Sequence, residues 1–232
     1  MAKLSIVMPV FNNWSFTRNC ISYFNKTANS EIDLIIVDNG STDETKTDIS
    51  KAAAITRYIR NANNCGFGHA CNQGYKATNS DYVLFLNNDI MFKTSSYEWI
   101  DKFIEQVEDN CLVGPTGGYI DRDFNFKYET NDVSKPINYI SGWCLLGSRK
   151  TFDKLIVSGN EGPFDAKTFF CYFEDTDLGF RALNKKMKFK LYDVPIIHIG
   201  KQTSKKINTS TLYTESKQKF IKKWEKSFAQ FF

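Results

Sequence analysis

Through the first half of the chain, short apolar runs alternate with segments whose apolar residues recur at helical spacing. Leu4 to Val10 is a β-branched run with Pro9 near its end, and Cys20, Ile21 and Phe24 mark a helix within Phe16 to Thr27. A second strand, Asp33 to Val37, stops at Asp38-Asn39-Gly40-Ser41, and a helix is expected from Thr42 to Ala54. Thr56 to Arg60 reads as a third strand, His69 to Thr78 as a helix, Tyr82 to Leu86 as a fully apolar strand and Ser96 to Glu108 as another helix. Repeated strand and helix units of this size predict a mainly parallel sheet covered on both faces.

Beyond residue 111 the alternation fails. Leu112-Val113, Tyr119-Ile120, Phe124 to Tyr128 and Tyr139 to Gly147 read as short strands, and Asp153-Lys154-Leu155 falls in a short helix. A helix from Phe173 through Arg181 to Lys185 precedes a strand at Phe189 to Tyr192. After Ser204 the chain is polar, with one amphipathic segment carrying Tyr213, Phe220, Ile221 and Trp224.

The 232 residues suit one ordinary or slightly large domain at roughly 100 to 200 residues each, and 42% hydrophobic with 24% charged residues excludes a disordered or coiled-coil chain. The net charge of +4 is uneven, because lysines crowd the last fifth from Lys185 to Lys226. No apolar run approaches the ~20 residues that span a bilayer. The six cysteines show neither C-x-x-C nor zinc spacing, so buried thiols in a reducing cytoplasm are expected.

In an open parallel sheet, ligands bind at the carboxyl ends of the strands. Here those ends are Phe11-Asn12, Asp38-Asn39, Asn61 to Gly68 and Asn87 to Asp89, all polar and short-chained. Such a cleft can hydrogen-bond the base and ribose of a nucleotide, and Asp89 can hold a metal ion bridging its phosphates; the same residues are also ordinary turn formers. Gly66-Phe67-Gly68 is not a dinucleotide fingerprint, since Cys71 stands where its third glycine would fall, and there is no P-loop.

Seven pieces in order resemble the family 2 glycosyltransferases, particularly their rhamnosyltransferase-like branch, from about Ser5 to Ser204. They are Ser5 to Asn12; Ile36 to Asp43; Asn64 to Gly68 with Asn72-Gln73-Gly74; Leu86 to Asp89; Ser141-Gly142-Trp143; Phe173 to Leu178 with Arg181; and His198. The resemblance implies a GT-A fold of the α/β class, with a Rossmann-like, mainly parallel central sheet flanked by helices and a smaller mixed β region on the acceptor side. It implies a domain over 1–204, with a nucleotide-binding half 1–110 and an acceptor and catalytic half 111–204, then a basic amphipathic helical segment 205–232.

Through that resemblance, Pro9, Val10, Phe11, Asn12, Asn64, Gly66 and Asn72 belong to the donor pocket, with Asp38 or Asn39 reaching the base. Asn87-Asn88-Asp89 stands where the family has its D-x-D motif, with an amide in the first place. Asp89 and His198 are the implied ligands of Mn²⁺ or Mg²⁺, since a carboxylate, diphosphate oxygens and waters make a hard oxygen site with room for one imidazole. A lone His among isoleucines otherwise reads as a core residue. Glu174 and Asp175 open a helix, where the dipole favours ionised carboxylates, and neighbours there point about a hundred degrees apart. By resemblance Asp175 is the general base of an inverting transfer, while Glu174 holds the acceptor or braces the site. Gly142 and Trp143 belong to the acceptor side, Trp143 either stacking on a sugar or packing in the core. Asp177 and Arg181, at i and i+4, read as a surface or bracing pair.

The expected partners are a UDP- or dTDP-linked sugar and a glycan or lipid-linked acceptor, with no nucleic acid. The last segment is expected to dock on the domain or to lie on an anionic membrane surface, which would make a cytoplasmic protein peripheral. Two other readings share these features: a sugar nucleotidyltransferase, which wants a Gly-rich basic loop in place of Phe11-Asn12-Asn13-Trp14, and a nucleotide-sugar-binding protein without transferase activity.

Overall fold

The computed structural model describes residues 3–26, 31–49, 52, 55–200 and 209–231. Strands β1 (Leu4–Val10), β2 (Ile32–Asp38), β3 (Arg57–Arg60) and β4 (Tyr82–Leu86) pair in parallel, with β1 between β2 and β4. Their near-continuous apolar runs follow from burial on both faces. Helices α1 (Trp14–Lys26), α2 (Thr45–Asp48), α3 (Phe67–Lys76) and α4 (Glu98–Ile104) connect them and the next elements. Alternate residues of β1 enter opposite layers. Ile6 and Met8 pack with Phe24 of α1 and Phe103 of α4, whereas Val7 packs with Cys71 and Tyr75 of α3.

Later strands extend the same sheet. With β6 (Cys111–Gly114), β10 (Cys144–Ser148) and β11 (Lys188–Leu191), its order is β11-β6-β10-β4-β1-β2-β3, and β10 alone runs antiparallel to both its neighbours. Sequence pattern merges β9 (Tyr139–Ile140) with β10. The chain breaks between them at Ser141-Gly142-Trp143, because β9 belongs to a separate three-stranded sheet with β7 (Gly117–Ile120) and β8 (Phe126–Thr130). Two strands escape the pattern, β5 (Ile90–Phe92) and β12 (Ile196–His198), which pair antiparallel as a ribbon. Helix α5 (Arg149–Asp153) starts earlier than expected because the Ser148 hydroxyl accepts the Thr151 N–H at 3.1 Å and caps it. Among the described residues of the helix expected over 42–54 only α2 is α-helical; residues 50, 51, 53 and 54, like Thr27 and the boundary at Ser204, lie outside the described residues.

The amphipathic tail docks. Helix α7 (Thr209–Trp224) and the 3₁₀ turn Phe228–Phe231 bury Phe220, Trp224 and Phe228 against Phe173 and Phe180 of the segment that carries α6 (Glu174–Asn184). Polar contacts fix the register: the Ser216 hydroxyl donates to the Cys171 carbonyl at 2.7 Å, and the Trp224 indole N–H donates to Asp177 at 2.9 Å. Asp177 is fully buried and also pairs with Arg181 and Lys223 at 2.8 Å each. The expected i, i+4 pair is therefore an internal brace between α6 and α7. The aromatic face that a membrane would take is spent on this contact. Among the described residues no helix is long and apolar enough to cross a membrane.

Candidate functional site

Strand order reverses around β1, with β2 on one side and β4 on the other, and a cleft opens there at the carboxyl ends. Its volume is about 670 Å³, and it is lined by Pro9, Val10 and Phe11 after β1, Asn39 after β2, Asn64 and Gly66 before α3, and Asn87, Asn88 and Asp89 after β4. Gly142, Trp143, Glu174, Asp175 and His198 line it as well. The tertiary fold thus brings together residues separated by up to 203 positions in sequence, from Pro9 to Leu212.

Asp38, Asn12 and Asn72 do not line the cleft; each is used up in holding its walls. Asp38 is fully buried, taking the Ser41 N–H on Oδ1 at 2.8 Å and, on Oδ2, the Tyr58 hydroxyl at 2.9 Å and the Arg60 guanidinium. Asn12, at φ 58°, spends its side-chain carbonyl on the backbone N–H groups of Thr42 and Asp43. Asn72 makes paired bonds with the N–H and C=O of Phe164. Asn39 lines the cleft but is saturated too: its amide donates to Asn64 and to the Gly66 carbonyl and accepts from Asn61 and from the Cys65 N–H. Asn64 accepts twice, while no described residue partners its Nδ2. Gly66 sits at φ 93°, and a Cβ there would lie 2.4 Å from the Phe170 carbonyl oxygen, so only glycine lets α3 begin here.

On the β4 side, Asn88 is anchored by Thr17 at 2.8 Å, and Asn87 has a buried Oδ1 without a hydrogen-bond partner among the described residues. His198 ends β12 with Nε2 3.2 Å from Asp89 Oδ1, and the antiparallel β5–β12 ribbon is what carries it there. The Trp143 indole stacks on the His198 ring at 4.7 Å and 9°, so this face holds the imidazole and is not open to a sugar. Sequence reasoning missed Glu129, Tyr139, Phe170, Cys171, Tyr172 and Leu212, all of which line the cleft. No local motif announces them, since they reach it from β8, β9, the segment before α6 and α7. Among the thiols, Cys65 is exposed and Cys171 half-buried, against the expectation of uniform burial. Cys171 is pushed up to about 12 by burial and by Glu174, so it stays a thiol and offers no nucleophile.

The family model of glycosyl transferase family 2 matches residues 5–175, which contain the Asn87-Asn88-Asp89 turn and end on Asp175. The chain belongs to this family. It is 30% identical over 183 residues to the poly(ribitol-phosphate) beta-N-acetylglucosaminyltransferase TarP of Staphylococcus aureus, covering 75% of this chain and 55% of TarP. It is 24% identical over 129 residues to glycosyltransferase GlyG of Streptococcus pneumoniae, covering 54% of this chain and 42% of GlyG. The chain spans about half the length of these curated relatives. In fold it matches the mannosyltransferase PcManGT from Pyrobaculum calidifontis, solved in complex with GDP-Man and Mn²⁺, with a TM-score of 0.64 at 13% identity over 86% of this chain and 58% of that one. It also matches glucosyl-3-phosphoglycerate synthase from Mycobacterium tuberculosis, with a TM-score of 0.62 at 14% identity over 95% and 79%. These likenesses establish the GT-A fold.

In this family 2 chain the two neighbouring carboxyls have different surroundings. Asp175 is hydrogen-bonded by the Gly142 N–H at 2.9 Å and the Thr176 N–H at 2.7 Å. Glu174 is buried with Oε2 unpartnered among the described residues. Burial, and secondly the charge of Asp175, push the Glu174 carboxyl up to about 8, and burial raises Asp175 as well. Two N–H donors favour the charged form of Asp175, so of the two carboxyls Glu174 is the one that holds a proton more readily.

That assignment has a consequence for stability. An unfolded glutamate ionises near 4.5, whereas folded Glu174 keeps its proton to about 8, so the folded state binds more protons and loses stability as pH rises across that window. Glu174→Gln removes this titration. The melting temperature of the unsubstituted chain should therefore fall relative to the variant's by several degrees between pH 5 and pH 8. Parallel pH profiles in differential scanning calorimetry would refute a protonated Glu174.

Asp89 and His198 suit a divalent ion chemically: one carboxylate and one imidazole border a cleft with room for diphosphate oxygens and water. Among the described residues no group of three or more His, Cys, Asp or Glu forms a complete metal cage. Any ion held here therefore completes its shell from a bound substrate or from water.

Proposed function

We propose that the chain carries the catalytic domain of an inverting glycosyltransferase, which moves a hexosyl or deoxyhexosyl unit from a UDP- or dTDP-linked donor to an acceptor hydroxyl in glycan assembly. The observation that carries this reading is that Asp175, Glu174, Asp89 and His198 all line one cleft, in a family 2 chain. The donor occupies the side made by residues 1–110. Phe11 and the unpartnered amide of Asn64 face the nucleoside, and the orphaned Oδ1 of Asn87 takes a ribose hydroxyl, removing a penalty of about 1–3 kcal/mol for an unsatisfied buried acceptor.

Apart from His198, the site residues from 111 onward serve the acceptor. Asp175 takes the proton of the acceptor hydroxyl, whose oxygen bonds to the anomeric carbon from the face opposite the leaving diphosphate. The anomeric C–O bond breaks and its electron pair leaves with the nucleoside diphosphate, which inverts the configuration in one displacement. Glu174, protonated, donates a hydrogen bond to the acceptor. Mn²⁺ or Mg²⁺ bound by Asp89 and His198 would neutralise charge on the leaving diphosphate.

TarP, by its name an N-acetylglucosaminyltransferase, supports a hexosyl donor, while the motif pattern of the rhamnosyltransferase-like branch supports a deoxyhexosyl one. Free thiols fit a reducing cytoplasm. With the aromatic stripe buried, contact with an anionic membrane would rest on exposed lysines such as Lys219, Lys222 and Lys226 alone.

The test is a screen of nucleotide sugars for hydrolysis by the chelated chain with and without added Mn²⁺ or Mg²⁺. One donor should be turned over, at least tenfold faster with metal. Hydrolysis of none rejects transferase activity, and full activity in excess chelator rejects the metal role.

A further inference from the structure

A second cavity of about 370 Å³ adjoins the cleft and shares Glu129, Trp143 and His198 with it. Its size falls within the range of small-molecule sites, about 300–1,000 Å³. The partition between the two is rigid. The Trp143 indole N–H donates to the Thr116 hydroxyl at 2.8 Å, Thr116 donates to Glu129 Oε1 at 2.9 Å, and the Ser141 hydroxyl donates to the same oxygen at 2.5 Å. With Oε1 so occupied, Glu129 Oε2 has no hydrogen-bond partner among the described residues, and Glu129 lines both cavities.

The rest of the lining has the chemistry of a sugar site. Asn131, Asp193 and Lys93 offer donors and acceptors, and Ile197, 42% exposed, offers apolar surface for C–H faces. Among the described lining residues, two carboxylates, Glu129 and Asp193, face one ammonium, Lys93. A phosphate or carboxylate placed here would meet net repulsion, whereas hydroxyls satisfy the carboxylates at no charge cost.

We propose that this second cavity binds the next unit of the acceptor, and that the acceptor is a neutral hydroxylated chain of at least two sugar units. The inference rests on the glycosyltransferase reading above. A unit whose hydroxyl reaches Asp175 lies against the shared wall of Glu129 and Trp143, and its neighbour in the chain then occupies the second cavity. The poly(ribitol phosphate) in the name of TarP is an anionic chain, so on this point the present chain departs from that relative.

The experiment compares p-nitrophenyl glycosides of one, two and three neutral sugars with a glycerol phosphate trimer as acceptors, using the donor found by the hydrolysis screen. Asn131 is exposed just beyond β8, so Asn131→Trp blocks the cavity without disturbing the core. Transfer to two- and three-unit glycosides should exceed transfer to one-unit glycosides by at least tenfold in kcat/KM. Asn131→Trp should erase that advantage while leaving one-unit transfer and donor hydrolysis within about twofold. Equal use of all lengths, an advantage that survives Asn131→Trp, preference for the phosphate trimer, or donor hydrolysis without transfer to any neutral glycoside would each overturn the proposal. Absence of donor hydrolysis altogether would instead overturn the glycosyltransferase reading on which it rests.

Discussion

Asp175→Asn is expected to lower the rate of sugar transfer by ~10²-fold or more while leaving donor affinity nearly unchanged. The substitution keeps the shape of the side chain, but asparagine has one acceptor oxygen for the two that Asp175 uses, Oδ2 toward the Gly142 N–H and Oδ1 toward the Thr176 N–H, so one of these bonds is lost. The proton acceptor disappears with it. Because the donor is assigned to the opposite wall, around Phe11, Asn64 and Asn87, its dissociation constant should change little. The measurement is single-turnover transfer alongside calorimetric titration of the nucleoside diphosphate. If Glu174→Gln abolishes transfer and Asp175→Asn does not, the roles of the two carboxyls are reversed. If both variants turn over normally, neither is the base.

Phe220→Ala should be the most damaging change outside the cleft. Phe220 is fully buried and meets the rings of Phe124, Phe173, Phe180 and Phe228 at centroid distances of 5.2 to 6.2 Å. Removing a buried phenyl ring costs about 3–5 kcal/mol, or a fall in melting temperature of roughly 6–20 °C for a chain of this size. Activity should fall as well. Phe173, one of the four, stands at φ 66° immediately before Glu174 and Asp175, and its left-handed backbone is held in place by Phe220 and Tyr213 of α7. Lys222→Ala, exposed on the same helix, serves as the control and should lie within about 0.5 kcal/mol of the unsubstituted chain. A Phe220→Ala chain as stable as that control would mean that α7 is not an integral part of the domain.

The tail shows where sequence reading stops. Phe220, Trp224 and Phe228 at four-residue spacing mark an apolar helix face, but the same face suits a membrane or a protein core, and only the position of α6 decides between them. Asp177 likewise reads as half of an i, i+4 pair with Arg181. Its contacts with Lys223 and Trp224 span more than forty residues and leave no local trace.

What the sequence by itself determined is the parallel core and the polar strand ends. β1, β2 and β4 are near-continuous apolar runs because both their faces are largely buried, and that property is written residue by residue. The motifs around Asp89 and Asp175 were legible as members of an ordered series of short runs that together resemble family 2. Tertiary structure alone decided which polar residues face the cleft. Asp38, Asn12 and Asn72 have the same composition as true cleft residues, yet all three are consumed by bonds to backbone and side chains distant in sequence. It also decided that Glu129 enters the site and that β5 and β12 pair to bring His198 to Asp89. Three-residue strands carry too little periodicity to be read, and hydrogen-bond saturation depends on partners that the chain supplies only after it folds.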